Sequence, residues 1–297
     1  MFRNAYLLLI LTTLFWAGNA VAGKLAVGHV SPMALTTLRW GLATVVMLAI
    51  GLPRLRRDWP VVRRHLPLLT LLGAAGFSVF NAMQYSALLF TSAINISIEQ
   101  AAMPMLVFVA NFLLHRIGVA PGQIIGFTLS LLGVVLTATH GDPTRLAALD
   151  LNRGDALMLL AIVIYAGYTV ALRHKPAIHW QSLMIVLCGS AFVVSLPFLL
   201  WEGLSGSMIL PDARGWTIAV YTAIFPSVLS QVFFIRGVEL IGANRAGLFI
   251  NMVPIFGTLL SIIILGEAFH LYHAAAMALV LGGIWLAEHS GRKHAQG

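Results

Sequence analysis

The sequence predicts an all-α integral membrane protein: ten transmembrane helices arranged as two inverted five-helix repeats around a central cavity, N- and C-termini cytoplasmic. Three observations carry the prediction. The first is composition, with 59% hydrophobic and 9% charged residues in 297 and a mean hydropathy of +0.91, against about 25% charged residues in soluble domains. Apolar runs long enough to span a bilayer recur along the whole chain. The second is a one-sided distribution of Lys and Arg. The third is a set of short sequence elements that return at one fixed offset.

The spans run over about 5–24, 32–51, 66–88, 93–114, 121–139, 154–172, 181–200, 215–235, 244–265 and 270–288. Most hold about twenty residues, enough at about 1.5 Å per residue to cross a core of about 30 Å. The first begins after Arg3 and contains Ala20-Val21-Ala22, which resembles a signal-peptide cleavage site. Its echo later in the chain makes it part of the fold instead. Short connections force neighbouring spans antiparallel. With a cytoplasmic N-terminus, thirteen of the eighteen basic residues fall inside, among them Arg54, Arg56, Arg57, Arg63, Arg64, Arg116, Arg173, Lys175, Arg236 and Arg245. Lys24, Arg145, Arg153 and Arg214 fall outside, the bias expected of a multi-pass protein of the inner membrane. The net charge of +8 therefore reflects topology and does not point to nucleic acid.

Trp16-Ala17-Gly18 returns as Tyr165-Ala166-Gly167, Pro104 as Pro254, and Leu131-Leu132-Gly133-Val134-Val135-Leu136 as Leu281-Gly282-Gly283-Ile284-Trp285-Leu286, at offsets of 149, 150 and 150. The chain divides into a repeat over 1–146 and a second over 147–297, forming one membrane domain. Five spans per repeat, an odd number, insert the halves in opposite senses. An inverted repeat is a recurrent transporter design, with the substrate near the midplane on interrupted helices. Pro104 and Pro254 both lie about eleven residues into their spans, which is midplane at helical rise. They are candidate hinges, since proline removes a backbone hydrogen bond.

Polar groups inside the spans must face protein or water. Of the ten acidic residues only Glu99 sits well inside an apolar run. It is followed by Gln100 and, after Met103, by Pro104. Span three carries Asn81, Gln84 and Tyr85 and span eight Ser227, Ser230 and Gln231, with Asn81 and Gln231 corresponding under the 150 offset, and Asn251 lies in span nine. Trp16 and Asn19 in span one correspond to Tyr165 and Tyr168 in span six. Each group is either helix–helix glue or cavity lining; recurrence in both halves favours a cavity with aromatic walls and a few amides, suited to a small amphipathic metabolite. Arg39 and Glu99 lie at similar depth and are a candidate buried ion pair. The alternative for Glu99 is a substrate-binding or proton-carrying role. Spans five and ten carry small residues (Gly122, Gly126, Ser130, Gly133; Ala274, Ala278, Gly282, Gly283) and are expected to serve scaffold packing, with a dimer face as the lesser reading.

The sequence holds no nucleotide-binding glycine motif, and the cluster Glu267, His270, His273 lacks metalloprotease spacing. Neither a cofactor nor a metal is expected. Cys188 is the single cysteine, so no intramolecular disulfide forms. An integral-membrane enzyme would need paired catalytic groups at one depth, and Glu99 has no such neighbour in the sequence.

Leu14-Phe15-Trp16-Ala17-Gly18-Asn19, Ser31-Pro32, Leu38-Arg39, Tyr85-Ser86-Ala87-Leu88 leading to Pro104, then Pro254 and Leu265-Gly266-Glu267-Ala268 resemble in order and spacing the drug/metabolite transporter superfamily, EamA-type exporters. The resemblance covers nearly the whole chain. It implies a basket of ten helices whose first four per half surround the cavity, and the export of amino acids, aromatic and other neutral ones included, or of other metabolites and drugs. It implies a cavity lined by Trp16, Asn81, Tyr85, Glu99, Gln100, Met103, Tyr165, Tyr168, Gln231 and Asn251. Gly266-Glu267 departs from the repeat, because Arg116-Ile117 stand at the corresponding first-half positions. The expected function is a secondary transporter working by alternating access on a small molecule in the lipid bilayer, as a monomer or weak homodimer. A nucleotide-sugar, sugar-phosphate or drug carrier of the same superfamily is the alternative.

Overall fold

The computed structural model describes residues 4–115, 121–142, 152–242, 246 and 249–294. The expected repeat boundary at 146/147, the Arg116-Ile117 pair, and Arg3, Arg145 and Arg245 lie outside them. The described residues are helical, joined by short turns and loops, with no strand among them. Seven helices are long and apolar enough to cross a membrane, and shorter apolar helices accompany them.

Helix α1 covers Ala5–Leu25 and α2 Pro32–Arg64. The expected span 32–51 is too short. The helix runs on for 13 residues (52–64) through Pro53 and Pro60, and this extension buries Val62 while exposing Arg54, Arg56, Arg57, Arg63 and Arg64. Leaving the apolar run ends the span, not the helix. The third apolar stretch is α3 (Leu66–Gly73), a π-helical segment (Ala74–Val79) and α4 (Phe80–Ala87). Helices α5 (Ala93–Ala101) and α6 (Met103–His115) follow, then α7 (Pro121–Ala138).

In the second half, α8 covers Arg153–Ala171 and α9 Trp180–Leu204. Then α10 (Ala213–Thr222), a π segment (Ala223–Leu229) and α11 (Ser230–Ile241) form one rod. A 3-10 turn (Phe249–Met252), α12 (Val253–Leu260), a π segment (Ser261–Leu265) and α13 (Leu271–His294) complete the chain. The π segments at 74–79 and 223–229 stand at the repeat offset, 149 residues apart at their starts and 150 at their ends. Each inserts residues into the ladder and turns the following helix about its axis, a device common at functional sites.

Both candidate hinges sit at helix starts rather than inside kinked helices. Helix α5 ends at Ala101, and Pro104 is the second residue of α6; the 3-10 turn ends at Met252, and Pro254 is the second residue of α12. In a first turn the missing N–H of proline costs nothing.

The two ends of the bundle are held differently. At the basic end, which carries the α2 arginines, Asp58 accepts the His179 backbone N–H at the start of α9 (2.9 Å). At the opposite end Glu202, from the last turn of α9, accepts from the Ser31 hydroxyl (2.5 Å) and from the backbone N–H groups of Met33 and Ala34 (3.2 Å each). The antiparallel pair α2 and α9 thus exchange carboxylates, each capping the positive N-terminus of the other. Also at the opposite end, Glu267 accepts from Ala93 and Ile94 at the start of α5 (2.8 and 3.0 Å), and Lys24 donates to the carbonyls of Leu88 and Thr91 (2.9 and 2.7 Å). A buried apolar cluster including Ala26, Val30, Leu35, Tyr85, Leu88, Ile96 and Met158 seals this end.

Helices α7 and α13 pack face to face. A methyl group on Gly126 would press on the backbone carbonyl of Gly283, and one on Gly133 would lie 2.7 Å from the carbonyl of Ala276. Ser130 donates across the seam to the carbonyl of Val280 (3.3 Å). The small residues of α7 are thus consumed inside the chain, as scaffold packing requires.

Candidate substrate cavity

A cavity of about 470 Å³ lies between the halves, within the usual size of small-molecule sites. Its wall is built from residues related by the repeat. Gly76 and Pro226, Phe77 and Ser227, Asn81 and Gln231, Ala101 and Asn251, Met103 and Val253, and Pro104 and Pro254 all line it in pairs 150 residues apart, and Trp16 and Tyr165 form a pair 149 apart. The first two pairs lie on the π segments, the next on the helices these lead into, and the following ones at the breaks before α6 and α12. Interrupted backbone is thus concentrated where it borders a cavity, as a membrane interior requires. Toward the basic end the wall reaches Thr169, near the end of α8.

One member of the wall breaks the symmetry. Among the described residues, Arg39 on α2 is the only lining residue with a formal charge, and the repeat places Gly189 opposite it. Only 5% exposed, it is held by neutral partners. Its Nε donates to Ser227 Oγ (2.8 Å), and its Nη1 lies 2.7 Å from Asn19 Oδ1, 2.7 Å from Asn81 Oδ1 and 2.6 Å from Tyr85 Oη. These partners are fixed in turn. Tyr85 donates to Asn19 Oδ1 (2.9 Å), Asn19 to Gln84 (3.0 Å), Asn81 to the Phe77 carbonyl in the first π segment (2.7 Å) and Ser227 to the Thr222 carbonyl before the second (2.8 Å). The guanidinium therefore ties α1, α2, α4 and the second π segment together. Its Nη2 donates to no group among the described residues. The guanidinium carbon stands 4.7 Å from the centroid of Trp40, which stacks on Phe77 at 4.6 Å; Phe80 packs on Tyr165 at 4.8 Å.

The structure brings Trp16, Asn81, Gln100, Met103, Tyr165, Gln231, Asn251 and both hinge prolines onto the wall. Three expected residues are not on it. Tyr85 is buried behind Arg39, and Tyr168 lies behind Tyr165 and Phe77. Glu99 turns away from the cavity, and the expected Arg39–Glu99 ion pair does not form: neither Glu99 oxygen has a partner among the described residues, and Arg39 spends its donors on amides and hydroxyls. Equal depth does not place two residues on facing sides of their helices. Two acids at helix ends, Asp155 (0% exposed) and Glu202 (5%), are buried as well. Sequence reading passed over Trp40, Phe77, Phe80 and Pro226 as wall residues, since apolar and aromatic residues in an apolar run carry no signal of facing; Arg39, read as half of an ion pair, stands on the wall. Among the described residues no group of His, Cys, Asp and Glu is arranged to hold a metal ion.

The EamA-like transporter family model matches residues 3–139 and again 152–288. The chain belongs to this family. As an EamA-like protein of the drug/metabolite transporter superfamily it is a multi-pass membrane transporter. Its relatives include the uncharacterized transporter YyaM of Bacillus subtilis, 26% identical with 96% of this chain and 93% of the relative covered. The uncharacterized inner membrane transporter YicL of Salmonella typhimurium is 24% identical over 99% of this chain and 98% of the relative. The aromatic amino acid exporter YddG of Ancylobacter novellus is 24% identical over 92% and 93%. A crystal structure at 22% identity superposes with a TM-score of 0.64, covering 97% of this chain and 98% of the other, which establishes the likeness of fold.

Proposed function

We propose that this EamA-like protein is a secondary transporter that exports amino acids, or similar small metabolites bearing a carboxylate, across the inner membrane by alternating access. The observation that carries the reading is Arg39, the one formal charge among the described residues of the cavity wall. A guanidinium in low dielectric, held only by neutral dipoles, is completed by an anion, and a carboxylate matches its fork. The amide oxygens of Gln100, Gln231 and Asn251 suit an ammonium group, and the stacked Trp40–Phe77 and tilted Phe80–Tyr165 ring pairs suit an apolar or aromatic side chain. The relative named as an aromatic amino acid exporter supports the same class. A sugar-phosphate or nucleotide-sugar would call for several cations, and the described residues of the wall offer one.

Ten membrane spans, cytoplasmic termini and two inverted five-helix units, 1–146 and 147–297, complete this reading. Support comes from the two family matches, which start 149 residues apart (152 − 3), and from the paired π segments. In this topology the basic end is cytoplasmic, and the carboxylate caps and apolar seal close the outer end, so the described conformation faces inward. The test is counterflow in proteoliposomes with labelled phenylalanine, threonine and methionine. Saturable uptake, accelerated by unlabelled amino acid inside, is the expected result. No uptake above empty liposomes for any amino acid or other carboxylate metabolite would sink it.

A further inference from the structure

A buried polar cluster behind the cavity wall has no part in the substrate site just described. Glu99 is wholly buried, and both its carboxyl oxygens lack a hydrogen-bond partner. Asp155, in the first turn of α8, is equally buried. Its Oδ1 accepts from the Thr91 hydroxyl and from Asn95 Nδ2 (3.5 Å), while Oδ2 has no partner. Asn95, one turn before Glu99 on α5, reaches Asp155 and so brings the two acids to one helix interface.

Among the described residues no Lys or Arg forms an ion pair with either acid. From α1, Lys24 spends its ammonium on the Leu88 and Thr91 carbonyls. From α13, His273 accepts at Nδ1 from the His270 backbone N–H (3.0 Å) and points Nε2 at Asn95 Oδ1 (3.1 Å), an arrangement that suits the neutral ring. Beyond α7, His140 lies near enough to act electrostatically on Asp155 but makes no hydrogen bond to it, its Nδ1 being unpartnered, and Glu267 is engaged by the start of α5. Helices α6, α7 and α12 bring no described ionisable side chain toward Glu99. Three buried carboxyl oxygens without donors are not a place for two carboxylates, whose desolvation and mutual repulsion would each cost several kcal/mol. A bound proton supplies the missing donor and removes a charge.

We propose that Glu99 and Asp155 form a proton-binding site, separate from the substrate cavity, through which proton entry is coupled to substrate export. Asn95, one turn before Glu99, and Thr91 lead from the acids toward the outer end, while Gln100 and Ala101, the next residues after Glu99, stand on the cavity wall. The break at Ala102 lies directly between this site and the hinge at Pro104. One proton arrives from outside and forms one carboxyl O–H on the pair. In the inward-facing state that O–H breaks and the proton leaves to the cytoplasm, and the return half-cycle carries one substrate outward. With a zwitterionic substrate each cycle moves one positive charge inward.

This inference rests on the export reading, so its test is built to separate the two. Full-length protein is reconstituted in liposomes with phenylalanine inside and an entrapped pH-sensitive dye. Phenylalanine efflux is expected to acidify the interior, and an imposed difference of one pH unit to sustain a phenylalanine ratio approaching tenfold. Glu99→Gln and Asp155→Asn lose the acidification. Independently, infrared difference spectra of the detergent-solubilised wild type should show the carbonyl stretch of a protonated carboxylic acid, absent in Glu99→Gln protein that elutes as a single species. Counterflow without proton movement overturns the proposal and leaves the transport reading standing. Absence of counterflow removes the transport reading, and the infrared band then decides the proton site alone: its absence in the wild type, or its persistence in both variants, overturns that too.

Discussion

Replacing Arg39 tests the substrate class most directly. Its Nε and Nη1 are committed to Ser227, Asn19, Asn81 and Tyr85, leaving Nη2 for a ligand. A hydrogen bond to a charged group contributes about 1.5–3 kcal/mol, and 1.36 kcal/mol is a factor of ten. Wild-type protein should therefore prefer phenylalanine to phenylalaninamide, which keeps the ring and ammonium but lacks the carboxylate, by about 10- to 150-fold in KM. In Arg39→Met the preference should collapse to about unity. In Arg39→Lys it should fall between, because an ammonium lacks the fork and must also serve the amides. Arg39→Met leaves the Asn81 amide oxygen without its donor, at a cost of about 1–3 kcal/mol of stability, while Asn19 keeps the hydrogen bond from Tyr85. The ratio of the two KM values, measured by counterflow on protein that elutes as a single species, separates recognition from folding. An Arg39→Met protein that still prefers phenylalanine as strongly as wild type would refute the role assigned to the guanidinium.

Three further outcomes are expected. Glu202→Ala leaves the Ser31 hydroxyl and the Met33 and Ala34 N–H groups without their acceptor and should cost about 2–4 kcal/mol; thermal midpoints in detergent should rank wild type above Glu202→Gln above Glu202→Ala, and equal midpoints would exclude the cap. Gly126→Ala, whose new methyl meets the Gly283 carbonyl, should destabilise by about 1–3 kcal/mol. Gly282→Ala, with nothing within 4 Å, should be neutral or stabilising by up to about 1 kcal/mol, and the same midpoints distinguish the two. The third is a pH dependence at the outer end, where Asp212 and His29 meet at 2.7 Å. The hydrogen bond from His29, then that from the Gly215 N–H, holds the Asp212 carboxyl below the usual carboxylate range. Its contribution to stability is thus present above the ordinary aspartate pKa of about 3.9 and is lost as pH falls through the lowered value. Asp212→Asn should flatten the acid limb of a stability-against-pH profile, and an unchanged limb would count against the link.

Depth was legible in the sequence and direction was not. Hydropathy placed α1, α7 and α8 to within a residue or two, because a bilayer-length apolar run has sharp ends. The same argument stopped α2 at residue 51, since the arginine-rich extension to Arg64 is helical for reasons of its own: Val62 packs inside and Asp58 reaches α9. Arg39 and Glu99 were placed at one depth and read as partners, yet facing is set by rotation about the helix axis. In spans three and eight the π segments alter the facing of the helices that follow them, without trace in composition. Tyr85 and Tyr168 were expected on the cavity for their polarity and lie one layer behind it, serving Arg39 and Phe77. What survived best was the repeat, because paired positions such as Asn81 and Gln231 carry their own check.

The carboxylate exchange between α2 and α9 also sets an order of events during synthesis. Ala34 finds its acceptor in Glu202, 168 residues later in the chain. At about 5–20 residues per second, the start of α2 waits roughly 10–30 s for the group that caps it. During that interval the nascent first half holds an N-terminus whose Met33 and Ala34 donors must stay with water or lipid headgroups. The reciprocal cap from Asp58 is already made when α9 emerges, so α9 enters against a waiting acceptor and delivers Glu202 at its far end. The pairing that locks the finished bundle is thus the one that the ribosome must leave until last for α2, and stalling before residue 202 would strand a half-protein with its second helix loosely anchored.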